Sequence, residues 1–211
     1  MAILEEICTL LQQGRAPKVK ELVSQAIEEG IPPKQILEEG LLSGMSIVGK
    51  KFKNNEVFVP EVLIAARAMN AGIEILKPHL VSEGVESKGT AVIGTVKGDL
   101  HDIGKNLVKM MMEGKGLAVY DLGVDVDADT FVNAAKEHDA QIICCSALLT
   151  TTMGEMKNVV EKVAEAGLHD KVKVMIGGAP ITQSYCDSIG ADYYTSDAAS
   201  AADVALKICT E

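Results

Sequence analysis

One short stretch of the chain concentrates the residue types that chemistry at a metal requires. Gly98-Asp99-Leu100-His101-Asp102-Ile103-Gly104-Lys105-Asn106 sets a histidine two positions after a carboxylate. A neutral imidazole offers a lone pair to a metal, and a nearby carboxylate that accepts its other N–H fixes the tautomer and tunes its basicity. Gly98 and Gly104 remove side-chain bulk on both sides of that histidine, as a large flat ligand requires. Two further segments are small or hydroxylic in the same way: Ser146-Ala147-Leu148-Leu149-Thr150-Thr151-Thr152 and Gly177-Gly178-Ala179-Pro180. Taken singly, each has a plainer origin as a surface or capping histidine, a helix cap, or a turn. Met110, Met111 and Met112 have the spacing of helix core, and Cys144 and Cys145 lie inside an apolar run. His79, His138 and His169 lie near helix ends and are given no chemistry.

The elements that position these segments are of two kinds. Up to about residue 80 the apolar residues recur at helical spacing. Helices are predicted from Met1 to Gln13, Val19 to Gly30, Ile36 to Lys50 and Pro60 to Leu76, with Pro32 and Pro33 suited to a first turn. Short connections between four amphipathic helices imply an antiparallel bundle. The polar, glycine-containing Val81 to Gly89 reads as a linker, dividing the chain into residues 1–85 and 90–211. Beyond it, strands at Ala91–Val96, Ala118–Leu122, Gln141–Ser146, Val172–Ile176 and Ala191–Tyr194 alternate with helices. That alternation implies a five-stranded parallel sheet covered on both faces. Periodicity leaves strand order open, and the doubly wound order with a switch point beside the first strand is the common solution. Ligands of such sheets bind outside the carboxyl ends of the strands, and all three small or hydroxylic segments follow a strand there.

Bulk composition narrows the function. Thirty acidic residues against twenty basic ones give a formal charge of −10, a sign that repels both nucleic-acid phosphates and anionic membranes. No apolar run has the length to span a bilayer, and the N-terminal stretch lacks a basic then apolar signal, so a soluble cytoplasmic protein is expected. Aromatics are only 3% with no Trp, so the core must be aliphatic. The five cysteines show neither C-x-x-C nor zinc spacing and suggest buried, reduced thiols.

Asp99-x-His101-x-x-Gly104, then Ser146-x-Leu148, then Gly177-Gly178, with Val57-Phe58-Val59-Pro60 in the helical part, together carry a resemblance. The whole chain resembles the small corrinoid proteins of anaerobic methyltransferase systems, which are similar to the cobalamin module of methionine synthase. The resemblance implies an all-α four-helix cap followed by a flavodoxin-like (Rossmann-like) five-stranded domain. It implies cobalamin, as methylcobalamin or a related corrinoid, with His101 as the lower ligand of its cobalt in place of the cofactor's own base. Asp99 would then hydrogen-bond His101, and Thr152 would extend that relay. Gly98, Asp102, Ile103, Gly104, Ser146, Leu148, Thr150, Gly177, Gly178 and Ala198 would contact the cofactor and its nucleotide tail. Phe58, Val59 and Met69 of the cap would shield the methyl-bearing face.

The implied chemistry belongs to one-carbon metabolism. Co(I) accepts a methyl group from a substrate:corrinoid methyltransferase and passes it as methyl-Co(III) to a second methyltransferase, whose acceptor is tetrahydrofolate or coenzyme M. A reductive activator completes the implied partners, and neither nucleic acid nor membrane is among them. Donor choice lies in the partner, so methylamines, betaines, methanol and methoxylated aromatics all stay open. A mutase subunit carrying adenosylcobalamin would share the histidine loop, but with a barrel partner over the cofactor in place of a helical cap. A cobalamin-dependent sensor would need a DNA-binding or signalling segment, and a receiver-like domain would need an acidic pocket where His101 and Gly104 stand.

Overall fold

Apolar residues three and four apart along the first part of the chain bury one stripe of each helix. The computed structural model describes residues 2–82 and 86–211. These divide into two units, Met1–Ser87 with Gly114–Gly116 and Lys88–Glu113 with Leu117–Glu211. In the first unit, α1 (Ala2–Gln12) and α2 (Ala16–Glu28) are followed by α3 (Pro33–Gln35), a π-helical segment (Ile36–Leu42), α4 (Ser43–Lys53) and α5 (Val59–Ser82). Leu4, Ile7 and Leu11 of α1 share the core with Val19 and Val23 of α2, Leu41, Met45 and Val48, and Val62, Ala66, Met69 and Leu76 of α5. Glycines set how closely the helices approach. A Cβ at Gly72 would stand 2.8 Å from Leu41 Cδ2, and one at Gly44 would stand 3.1 Å from the Cys8 carbonyl oxygen.

Two features of this unit depart from the periodicity. The third helix spans α3 through α4 with a wider π-helical turn inside it, which apolar spacing close to 3.6 does not reveal. The fourth helix does not end near Leu76 but continues through Pro78 to Ser82, taking the first two residues of the expected linker. Residues 83–85 of that linker lie outside the described residues. No described helix is long and apolar enough to cross a membrane.

In the second unit the runs Thr90–Thr95 (β1), Ala118–Asp121 (β2), Ile142–Ser146 (β3), Lys173–Gly177 (β4) and Tyr193–Tyr194 (β5) form one parallel sheet in the order β2-β1-β3-β4-β5. This is the flavodoxin-like arrangement, whose switch point lies between β1 and β3. The register aligns Thr95, Ser146 and Gly177 at the carboxyl edge of the three central strands. Helices α6 (Ile103–Glu113), α7 (Ala128–Glu137), α8 (Gly154–Glu165), α9 (Gln183–Ile189) and α10 (Ala198–Thr210) connect or follow the strands. α6 packs with α10, and α7 with α8. Right-handed crossovers that move in opposite directions from β1 put those two pairs on opposite faces. Asp127, Thr182 and Asp197 cap α7, α9 and α10 by accepting from the N–H of Thr130, Tyr185 and Ser200. The five cysteines are all reduced thiols; Cys144, Cys145 and Cys186 are buried, whereas Cys8 and Cys209 are partly exposed. Burial pushes the Cys144 thiol up to about 12, which makes it inert at neutral pH.

Candidate functional site

The loop from β1 to α6 and the loop from β3 to α8 leave the sheet on either side of the switch point, and a single carboxylate joins them. Asp99 has no solvent exposure. Its Oδ1 accepts from the His101 backbone N–H at 3.1 Å and lies 2.7 Å from His101 Nδ1. Its Oδ2 accepts from the backbone N–H of Leu148 at 2.8 Å and of Leu149 at 3.1 Å, and lies 2.9 Å from the Thr152 hydroxyl. Burial alone would raise this carboxyl's pKa. The His101 bond and the backbone N–H groups of Leu148, His101 and Leu149 outweigh it and hold the group well below the usual carboxylate range. Asp99 is therefore a fixed anion closed off from water.

That anion decides what His101 presents. An ionised carboxylate can only accept, so in the neutral ring the proton sits on Nδ1 and the lone pair on Nε2. The side chain is 52% exposed, and no described residue hydrogen-bonds Nε2. The backbone is pinned from the other side, because the buried Thr95 hydroxyl donates to the His101 carbonyl at 2.8 Å. Thr152, also buried, lies 2.9 Å from both Asp99 Oδ2 and the Leu149 carbonyl, and its one proton serves one acceptor at a time. Among the described residues no cluster of three or more His, Cys, Asp or Glu stands ready to hold a metal ion. A metal at His101 must bring its other ligands with it.

The glycines divide by cause. Gly104 and Gly177 have open space where a Cβ would stand. Gly98 is required by its backbone, at φ +80°, while a Cβ there would make only ordinary contact with Thr152. Gly178 is required by the chain itself. At φ +138° its Cβ would lie 1.8 Å from the Ala147 carbonyl oxygen, so its small size serves the crossing of two loops. Gly98 and Gly178 thus have a backbone reason of their own, and Gly104 and Gly177 are the positions open where a Cβ would stand.

The remaining expected residues are spread along the same edge or lie in the helical unit. Asp102 is exposed and accepts from the Asn106 side chain at 3.1 Å as α6 begins. Ser146 ends β3, half-buried, and its carbonyl accepts from Val96 N–H at 3.0 Å. Thr150 is exposed on the β3–α8 loop, and Ala198 is the buried first residue of α10. Leu148 and Ile103 are exposed apolar side chains, and Leu100, Leu149 and Val124, which spacing did not single out, join them at the carboxyl ends of the strands. Leu100 and Ile103 are each over 70% exposed, a cost that a flat apolar ligand would relieve by about 1.5 kcal/mol or more per side chain. In the helical unit Phe58 is 63% exposed just before α5, with its N–H donating to Glu61 at 3.0 Å, and Val59 is half-buried. Met69 is fully buried in the helical core, so its packing there accounts for it and no surface of it faces outward.

Other polar contacts tie the start of α6 to the end of β2. Lys105, 3% exposed, donates to Asp121 Oδ1 at 2.6 Å and to the Asn106 side chain at 2.8 Å. Burial of Asp121 opposes ionisation, but Lys105, the Gly123 N–H and Lys109 keep its carboxyl below the ordinary value.

Residues 89–206 match one family model described as a B12 binding domain, and residues 3–77 match a second of the same description. The trimethylamine corrinoid protein 1 of Methanosarcina acetivorans is 45% identical over 99% of this chain and 98% of its own length. The dimethylamine corrinoid protein 3 of the same organism is 43% identical over 94% of this chain and 93% of its own. Among solved structures, a chain of the methanol:cobalamin methyltransferase complex MtaBC from Methanosarcina barkeri superposes with a TM-score of 0.89 at 31% identity, covering 99% of this chain and 80% of that one.

Proposed function

This chain belongs to the B12-binding family of corrinoid proteins, and we propose that it holds cobalamin through His101 and carries methyl groups between partner methyltransferases. Residues 1–85 act as the helical cap and residues 90–211 as the cobalamin-binding domain. The observation that carries the reading is the Asp99–His101 pair. A buried, ionised carboxylate 2.7 Å from Nδ1 leaves Nε2 as the ring nitrogen that can accept from or bind a ligand. Two further observations support it. Gly104 and Gly177 leave open backbone at the same sheet edge, and Leu100, Ile103, Leu148 and Leu149 offer exposed apolar surface there.

Bound cobalamin supplies the cobalt that takes up the methyl group and gives it back. The chain's own residues set the lower side of that exchange. His101 would hold the cobalt through Nε2, and Asp99, by accepting from Nδ1–H, would keep the ring in the tautomer whose lone pair lies on that nitrogen. The buried Asp99 carboxylate, held well below the usual carboxylate range, would keep its charge beside Nδ1 whether or not the ring is bound to the metal. Thr152 would extend the relay, its hydroxyl standing where it can donate to Asp99 Oδ2 or to the Leu149 carbonyl. Ser146, Thr150, Gly177, Gly178 and Ala198 would border the cofactor tail, and Phe58 and Val59 of the helical unit would shield its methyl-bearing side. Gly98, Asp102, Ile103 and Leu148 complete the contacts around the ligand loop.

The partners are methyltransferases. We further propose that the acceptor enzyme uses tetrahydrofolate or coenzyme M, and that a reductive activator restores the reactive cobalt state. Relatives named for trimethylamine and dimethylamine put methylated amines first among donors to assay. The match of the helical segment as well as the sheet leaves the mutase and sensor readings without support. The test is methyl transfer by the full chain reconstituted with cobalamin, given a methylated-amine methyltransferase and its substrate. Substrate-dependent loss of the Co(I) absorbance is expected. Preference for adenosylcobalamin, with no such loss for any donor enzyme, would contradict the carrier role.

A further inference from the structure

The β1–α6 loop is held from outside by a residue that the Asp99–His101 pair does not include. β2 ends at Asp121, but the chain beyond it keeps pairing with β1. Leu122 N–H donates to the Ile93 carbonyl, Thr95 N–H to the Gly123 carbonyl and Val126 N–H to the Thr95 carbonyl. Asp125 extends that pairing onto the ligand loop in both directions. Its backbone N–H donates to the Asp99 carbonyl at 3.0 Å, and its Oδ1 accepts from the Gly98 N–H at 2.7 Å. Two backbone oddities meet in this contact. Gly98 sits at φ +80° and Asp125 at φ +55°, a region that Asp, Asn and Gly enter more readily than other residues. Such conformations persist where surrounding contacts over-determine them. Here the strained residue grips the two residues that lead into His101.

We propose that Asp125 is a positioning residue for the His101 ligand loop. It acts by clamping Gly98 N–H and Asp99 C=O, which fixes the Asp99 carboxylate under the imidazole. The proposal rests on His101 as the axial ligand, but the two can fail separately. Without the clamp, water satisfies Gly98 N–H, the Asp99 backbone shifts more freely, and the Asp99–His101 bond lengthens. The ligated form of His101 is then less favoured, while cofactor contacts elsewhere are untouched.

The test compares Asp125→Asn, which keeps both the acceptor and the backbone preference, with Asp125→Gly, which keeps only the backbone preference. Two readouts on the full chain are needed. Amide hydrogen exchange at Gly98 in the apo-protein reads the clamp itself. The ratio of histidine-on to histidine-off Co(II) by electron paramagnetic resonance, after reconstitution with cobalamin, reads its effect. Asp125→Gly is expected to speed Gly98 exchange and lower the on:off ratio, each by about threefold to tenfold, the range that loss of one hydrogen bond gives. Asp125→Asn is expected to match wild type in both, so the comparison stands even if the glycine variant folds poorly. An unchanged on:off ratio in a folded Asp125→Gly protein would overturn the proposal, as would an Asp125→Asn variant that loses Gly98 protection. Absence of histidine coupling in wild type would instead sink the assignment of His101.

Discussion

Replacing Asp99 by asparagine keeps the shape of the side chain and tests how His101 is held. The carboxylate accepts on both oxygens, from the His101 ring and N–H on one and from Leu148, Leu149 and Thr152 on the other. An amide accepts on one side only. If its oxygen keeps the Leu148 side, its NH2 group faces the His101 N–H, donor against donor. It can satisfy the ring only by donating to Nδ1, which leaves the proton on Nε2, the nitrogen needed for ligation. A hydrogen bond to a charged group contributes about 1.5–3 kcal/mol, so Asp99→Asn should lose about 2 kcal/mol at pH 7. The folded Asp99 titrates below its unfolded value, so its contribution is complete above the unfolded value and is lost as pH falls through the folded one. With an unfolded value of about 3.9, lowering the pH to 3 removes roughly 1.3 kcal/mol of the wild-type advantage. Urea unfolding of the two apo-proteins should therefore show a gap near 2 kcal/mol at pH 7 that narrows to under about 1 kcal/mol at pH 3. No gap at pH 7, or the same gap at both, would refute this account of the carboxylate.

Other perturbations follow from the same contacts. Gly178→Ala should destabilise the apo-protein by about 3 kcal/mol, as strain and a clash with the Ala147 carbonyl add, whereas Gly177→Phe should leave thermal stability near wild type. The same Gly177→Phe variant should weaken cobalamin far more than cobinamide, which lacks the nucleotide tail; equal losses would place the tail elsewhere. Lys105→Met should cost about 2 kcal/mol in urea unfolding, less than for a fully enclosed pair because Asp121 is partly exposed, and a loss under about 0.5 kcal/mol would contradict this tie. A thiol reagent at pH 8 should label Cys8 and Cys209 in the native protein and reach Cys144, Cys145 and Cys186 only on unfolding, with early labelling of Cys144 the contrary result.

Much of the second unit was legible because a parallel sheet buried on both faces writes its strands as short apolar runs, such as Ile142-Ile143-Cys144-Cys145. Strand order was not, since it is set by which crossover packs on which face and leaves no mark on periodicity. In the helical unit the apolar stripes were plain, but a π-helical turn at Ile36–Leu42 shifts them too little to be seen. Within the site, Asp99 and His101 were readable as residue types at a telling spacing and Thr152 only through the family resemblance; in the fold Asp99 lies 2.7 Å from the His101 ring and 2.9 Å from the Thr152 hydroxyl. The roles of the glycines were not, because bare backbone for a ligand and bare backbone for a neighbouring carbonyl look alike, as Gly177 and Gly178 demonstrate. Met69 shares helical spacing with both core and surface, and its burial assigns it to the core. Asp125 escaped notice because its function comes from a loop contact between residues 27 positions apart.

Spectroscopy of the Co(II) state identifies most directly whether His101 is the cobalt ligand. The full chain reconstituted with cobalamin, reduced to Co(II) and observed by electron paramagnetic resonance, should show hyperfine coupling to one imidazole nitrogen. His101→Ala should still bind the corrin through its other contacts and should lose that coupling completely. Coupling that persists unchanged in His101→Ala would contradict the central claim.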